Sequence, residues 1–358
     1  MSIFTSGDFS QSKEDIKGIN EALKEEAFAK PSLTEFHTIV EGIIVDKQIV
    51  ILGRLQGLVG KQSGGCDPTS STNTFGGTEK TWSPKTISDR LTQCYTDLED
   101  RFTAWGLNAG IKKADLTNTN FAEFVVELVA DALMECVLRF AWFGDIHADN
   151  VTGGGVITNG TDLAYFDKID GLWKQAFEIV TADADRLTAG LGTKNGQATF
   201  ALQKFNSTDT TNKVVINTFD NMTKDADERL TAKADVVIVA TKSVVDQYKT
   251  ELKFSNIAFT TERLENGIEM LNIDGIKVLS FSFWDRIIKA YQNDGTKAYL
   301  PHRAIMLSVA NTQIGTETVG ELSEVEVIFD NVTKNNHFDF MFRLDAKFGI
   351  DHEIQVAY

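Results

Sequence analysis

The last twenty-one residues constrain the fold more than any other stretch. From Phe338 to Tyr358 the even positions read Phe, Phe, Phe, Leu, Ala, Phe, Ile, His, Ile, Val, Tyr, while the odd ones include Asp339, Arg343, Asp345, Lys347, Asp351, Glu353 and Gln355. Successive side chains of a β-strand point to opposite faces, so the pattern predicts a strand or hairpin with one buried and one wet face. The run exceeds a normal single strand. A break is expected at Gly349-Ile350-Asp351-His352, where His352 also interrupts the apolar parity. The chain is expected to re-enter a sheet at Val356-Ala357-Tyr358.

At 358 residues and 42% hydrophobic, the chain can bury one sizeable core or two. Its formal net charge of −16 argues against a surface that wraps nucleic acid or anionic membrane, which needs clustered Lys and Arg. An acidic wall can still enclose nucleic acid by not adhering to it. No apolar run reaches the ~18 residues of a membrane span. The start, MSIFTSGDFSQSKED, has neither the basic nor the apolar region of a secretory signal. Cys66, Cys94 and Cys136 share no metal-type spacing, and an odd count in a leaderless chain suggests reduced thiols.

Organisation along the chain is uneven. Residues 1–38 are polar and acidic, with a helix expected through Glu14–Ala29 and stopped before Pro31; they form an arm. Apolar residues crowd from Ile39 to Leu58, and residues 62–80 (QSGGCDPTSSTNTFGGTEK) have the Gly/Ser/Thr composition of a mobile tip. The chain returns through Trp82-Ser83-Pro84-Lys85. Extended segment, flexible tip and extended return describe a projecting hairpin over 39–95. Such a hairpin cannot bury its own faces and needs a partner surface. Lys61, Gly64, Gly65, Phe75, Gly76, Gly77, Lys80, Trp82 and Lys85 are the candidate contacts.

A long helix is expected over 121–143, with Asn120 and Glu123 as a capping box and Gly144 as its stop. At 1.5 Å per residue it would run roughly 35 Å. Phe121, Phe124, Val125, Leu128, Val129 and Ala132 form its core stripe. Glu123, Glu127, Asp131, Glu135 and Arg139 recur at four-residue intervals opposite. Acidic neighbours at that spacing repel, relieved once by Glu135→Arg139. The stripe is either a solvated face or an acidic track toward an enclosed space or a neighbour's basic residues. Beyond Gly153-Gly154-Gly155, Leu163–Phe177 reads as helical. Ala234–Ala240 reads as a strand buried on both faces, followed by a helix capped by Thr241 or Ser243. Strands are expected at Ile276–Phe283, Ala304–Val309 and Glu324–Phe329, in a compact α+β or α/β domain.

The chemistry-bearing patterns fail on inspection. Gly57–Gln62 resembles a phosphate loop, but Leu55 stands where the first glycine belongs and Gln62 replaces the magnesium-holding Ser/Thr. No G-x-G-x-x-G follows the Val236–Ala240 strand, and there is no H-E-x-x-H or G-x-S-x-G. Asp145, His147 and Asp149 alternate like calcium ligands, yet Asn150 and Val156 occupy the positions of the loop glycine and closing Glu. A polar turn is expected there instead. Cys136 reads as a small core residue and His352 as a packed or edge residue. No catalytic, cofactor or metal site is expected.

The order of elements resembles the HK97-type major capsid proteins of tailed bacteriophages. Phe121–Gly144 (FAEFVVELVADALMECVLRFAWFG) is similar to the family's spine helix, and Ala234–Tyr248 (ADVVIVATKSVVDQY) to the strand and helix of its axial domain. Ile268–Phe283 resembles later axial strands with a turn at Asp274-Gly275, and FDFMFRLDAKFGIDHEIQVAY resembles the closing strands beside the spine helix. The resemblance implies an α+β chain. Its parts are an N-terminal arm (1–38), an extended hairpin (39–95), a peripheral domain with the spine helix (96–152), an axial domain (153–324) and closing strands of the peripheral domain (325–358). It implies a non-enzymatic subunit that assembles into hexamers and pentamers of an icosahedral shell around double-stranded DNA, without sequence-specific contact or membrane. Portal, scaffold and decoration proteins are implied partners, the scaffold separate if present. The implied location is the virion, assembled in the bacterial host cytoplasm. Some family members cross-link subunits through Lys–Asn isopeptides; Lys61, Lys80 and Lys85 lie near the loop, with no identifiable acceptor. An encapsulin-type compartment shares the fold and remains an alternative, as does an α/β enzyme or binding domain.

Overall fold

Val236–Ala240 (β5) is five apolar residues with no polar alternation, and every one of them is buried. Val237 and Val239 enter one hydrophobic core, while Val236, Ile238 and Ala240 enter another. A strand with two dry faces must sit mid-sheet between two layers. The structure, a computed structural model, describes residues 36–44, 46–52, 77–94, 132–150, 157, 160–263, 268–318, 325–330 and 335–358. In it β5 pairs in parallel with β8 (Ile276–Ser280) and antiparallel with β9 (Ala304–Ser308). The six-stranded sheet runs β13-β9-β5-β8-β7-β6, completed by β6 (Glu262–Arg263), β7 (Glu269–Ile273) and β13 (Ile354–Ala357). Asp274 and Gly275 both have positive φ (48° and 85°), making the turn expected between β7 and β8.

A second sheet collects β1 (Thr38–Val40), β4 (Lys85–Cys94), β10 (Thr312–Gly315), β11 (Val325–Asp330) and β12 (Asn335–Phe348). β12 organises it. It pairs with β11 over Asn335–Phe340, with β4 over Asn335–Leu344, and with β10 over Asp345–Phe348. Its apolar parity holds at Phe338, Phe342, Leu344, Ala346 and Phe348, which are buried, with Phe340 half-buried; on the other face Met341 is exposed, but Asp345, expected on the wet side, is buried. The break falls in the short 3-10 turn Asp351–Glu353. The alternative of a terminal hairpin does not survive. β13 pairs with β9, not β12, so residues 325–358 divide between the two sheets.

Five longer helices are present among the described residues: α1 (132–143), α2 (Leu172–Ala182), α3 (Val214–Asp225), α4 (Lys242–Phe254) and α5 (Ser282–Tyr291). α3 and α4 cover one face of the six-stranded sheet. On its other face α1, α2, α5 and the apolar side of β12 share one core. Trp142, Trp173 and Trp284 meet at its centre with rings 4.7 and 4.9 Å from Trp284. Trp142 Nε1 donates to His37 Nε2 at 2.9 Å, which binds the segment before β1 into the same cluster. Arg303 is fully buried there. Its guanidinium donates to Leu300 O (2.7 Å), Gln292 Oε1 (2.8 Å) and Tyr299 O (3.0 Å) and lies against the rings of Trp173 and Phe177. Burial without a carboxylate partner draws its pKa down to about 9.

Several local expectations change. The strand Ile276–Phe283 stops at Ser280, and Ser282 opens α5, whose Trp284, Ile287 and Ile288 take helical spacing into the core. Short apolar runs do not separate strand from helix by periodicity. Leu163–Phe177 is not one helix: Gly160–Leu163 ends, a turn follows, and α2 begins after Gly171. A Cβ on Gly171 would lie 2.7 Å from Gly144 N, and one on Gly144 2.5 Å from Ile169 O, so both glycines allow backbones to touch. Ala132 is exposed rather than in the core stripe, which runs through Leu133, Val137, Phe140 and Ala141. Glu135 pairs with Arg286 of α5 at 2.8 Å instead of Arg139, whose guanidinium lies 4.9 Å from the Tyr165 ring.

Neither Thr241 nor Ser243 caps α4 through its side chain. Asp285 of α5 does so, accepting from Lys242 N at 2.7 Å and Ser243 N at 3.4 Å. Likewise Glu251, on α4, is fully buried and accepts from Val215 N (3.0 Å) and Ile216 N (2.9 Å) at the start of α3. Helix ends here are satisfied from neighbouring helices, which ties the layers together.

Candidate functional site

Lys47–Leu52 (β2) and Gly77–Trp82 (β3) form a two-stranded antiparallel sheet, in register from Lys47↔Trp82 to Leu52↔Gly77. No third strand joins it among the described residues. β4, expected to continue the hairpin, belongs to the five-stranded sheet instead. The hairpin therefore leaves the body between Ile44 and Ser83. The tip, with Lys61, Gly64, Gly65, Phe75 and Gly76, lies outside the described residues.

The root is built tightly. Gly42 N and Ile43 N donate to Glu317 O (2.9 Å) and Thr316 O (3.1 Å), and Arg343 Nη1 donates to Ile44 O at 2.8 Å. On the returning side, Ser83 N donates to Asp345 Oδ2 at 2.7 Å. Burial pushes the Asp345 carboxyl up from its ordinary range. Trp82 is 2% exposed, its ring seated on Gly315 so closely that a Cβ there would lie 2.7 Å from it. Trp82 thus fills its own subunit's interior. Lys80 Nζ donates to Phe348 O at 2.6 Å and pairs with Asp351. Lys85, at the first position of β4, is exposed, and Gly77 opens β3 opposite Leu52. Sequence reasoning missed Gly315, Arg343, Asp345 and Asp351 as the receiving side. An isolated glycine in a strand signals close backbone approach, and Gly315 in Thr312–Gly315 carries that signal.

Of the acidic stripe, Glu123, Glu127 and Asp131 lie outside the described residues; Glu135 is half exposed and paired with Arg286. Asp145 forms the polar turn after α1: Oδ1 accepts from His147 N (2.7 Å) and from Lys174 Nζ (2.8 Å), while His147 and Asp149 face solvent. The described residues bring no group of three metal-ligating side chains together. No described helix is long and apolar enough to cross a membrane.

One arrangement with catalytic geometry was not legible in the sequence. Ser243 Oγ lies 2.8 Å from His302 Nδ1, and His302 Nε2 lies 2.7 Å from Gln203 O. Burial lowers the His302 pKa to about 4, which makes it a weak base at neutral pH. The nearby helix N-terminus, a natural oxyanion site, is already filled by the Asp285 carboxylate. The pair is packing chemistry.

The whole chain, rather than any one cluster, is what finds counterparts among solved structures. A chain of the satellite phage P4 procapsid superposes with TM-score 0.50 at 9% identity, over 95% of this chain and 98% of that one. The chain has the HK97-type capsid fold. A Mycobacterium phage Ogopogo chain (TM-score 0.48, 7% identity, 90% of each chain) and one from the holo-SrpI encapsulin complex of Synechococcus elongatus PCC 7942 (0.44, 8%, 92% of this chain and 86% of that one) are also similar. No protein-family model matches the sequence, and no curated protein matches it. In an HK97-type fold recognised at such low identity, the likeness resides in element order and topology.

Proposed function

We propose that the chain is a major capsid subunit, assembling through hexamers and pentamers into an icosahedral shell that encloses double-stranded DNA. The observation that carries this reading is the superposition of nearly the full length on a procapsid chain. A two-stranded hairpin that no third strand joins among the described residues supports it, because such an element gains stability on another surface. The −16 net charge fits a wall that contains DNA without gripping it. In this reading the six-stranded sheet with α3 and α4 is the axial domain, joined by β13. The five-stranded sheet and spine helix are the peripheral domain, 1–38 is an arm, and no residue performs catalysis.

Partners are further copies of the chain, together with portal, scaffold and decoration proteins. The functional location is the virion, after assembly in the bacterial cytoplasm. The tip residues and exposed Lys85 serve as neighbour contacts, and the acidic series Glu123, Glu127, Asp131 and Glu135 is the candidate track toward the enclosed space or a neighbour's basic residues. Electron microscopy of particles formed by the full chain tests the reading. Closed shells, or five- and six-membered rings, are expected. Particles that hold protein cargo and exclude DNA would replace the viral reading with a compartment.

A further inference from the structure

Both strands of the hairpin enter the body at one place. Ile43, Ile44, Trp82 and Ser83 all contact the stretches 315–317 and 343–345. A root gathered at one place fixes position but leaves a swing about that place. Lys80 lies two residues further out, on the same face of β3 as Trp82, about 7 Å along the strand. Its ammonium crosses to Phe348 O and Asp351.

That landing point is itself rigid. Asn311 Oδ1 accepts from Ile350 N at 2.6 Å and Asn311 Nδ2 donates to Ile350 O at 2.9 Å, locking the corner where the chain leaves β12 for β13. Beneath the hairpin lies a cleft of about 420 Å³, bordered by Lys80, Thr81, Glu178, Asp183, Lys347 and Asp351, which separates the strand from α2. Among the described residues this cleft lies between β3 and α2, and Lys80 reaches to the corner joining the two sheets.

We propose that Lys80 is the positioning residue that sets the hairpin's direction, by pinning it to Phe348 O and Asp351 at the corner between the sheets. This rests on the shell reading. The pin gives every subunit the same hairpin angle before it meets a neighbour, and that angle determines curvature. Lys80 acts within the subunit, not as a bond to the next one.

The test uses the full chain with its cysteines replaced by serine and spin labels at Glu79→Cys and Thr181→Cys. Pulsed-EPR distances are compared for Lys80, Lys80→Met, Lys80→Arg and Lys80→Glu with Asp351→Lys. Lys80→Met is expected to widen the distance distribution at least twofold; Lys80→Arg restores it, and the charge reversal, which recovers the ion pair but not the bond to Phe348 O, narrows it in part, all with thermal midpoints near the parent's. In unlabelled chains Lys80→Met is expected to broaden the shell diameters seen by electron microscopy. An unchanged distribution in Lys80→Met overturns the pin. A widened distribution with unchanged shell diameters overturns its role in assembly. Absence of shells from the parent chain counts against the shell reading alone, since the distances still decide the pin.

Discussion

His302 shows how one buried side chain couples the fold to pH. It is 5% exposed, and its two nitrogens are engaged by Ser243 Oγ and Gln203 O. Burial lowers its pKa to about 4 against a reference near 6.5. The unfolded chain therefore takes up the proton first, so the stabilisation present above the unfolded pKa is lost as pH falls through the folded one. Between pH 6.5 and 4 this one group should remove roughly 3 kcal/mol, at 1.36 kcal/mol per pKa unit. Denaturant unfolding of the parent and His302→Gln across that window should give a shallower pH slope for the variant; identical slopes would refute the assignment. None of this was legible in the sequence, where five scattered histidines offered no spacing to read. Sequence separations of 59 and 99 residues bring the partners of His302 together only in the fold. The same holds for Asp285 and Glu251, whose capping roles belong to neighbouring helices.

At the scale of elements, alternation was the readable signal. The phase of β12, the two dry faces of β5 and the turn at Asp274-Gly275 all follow from local pattern. What the pattern could not give was pairing. β12 and β13 have the same parity yet join different sheets, because the turn at 351–353 redirects the chain. α5 was hidden because its first residues continue the apolar run of β8. The hairpin was legible as a composition shift, but its root was not, since the contacts of Trp82 and Lys80 are more than two hundred residues away.

Replacing 55–74 by a short turn keeps β2, β3, Trp82 and Lys80. It should leave the thermal midpoint within a few degrees while reducing shell yield at least tenfold by sedimentation; undiminished yield would remove the tip from assembly. In the acidic series read from the sequence, Glu127→Lys with Asp131→Lys should change the stability of the subunit by less than about 1 kcal/mol, the range of surface charge changes. It should also lower the fraction of DNA-filled particles in a density gradient. An unchanged fraction would make the stripe an ordinary solvated face.

At the scale of the molecule, one sheet divides two cores, and the core between the sheets is continuous from β12 through Trp142, Trp173 and Trp284 to β5. The body should therefore unfold as a unit, with the hairpin tied to it through Trp82 and Lys80 at its root. In the proposed shell, the edges of β2 and β3 that pair with no further strand among the described residues would be covered by another copy. The most direct measurement is a cryo-EM reconstruction of particles assembled from the full chain, at a resolution that traces β2 and β3. The hairpin should lie across the body of an adjacent subunit, leaving its own root with Trp82 still on Gly315. A hairpin folded back on its own subunit, or a chain that stays monomeric under every assembly condition, would contradict the account.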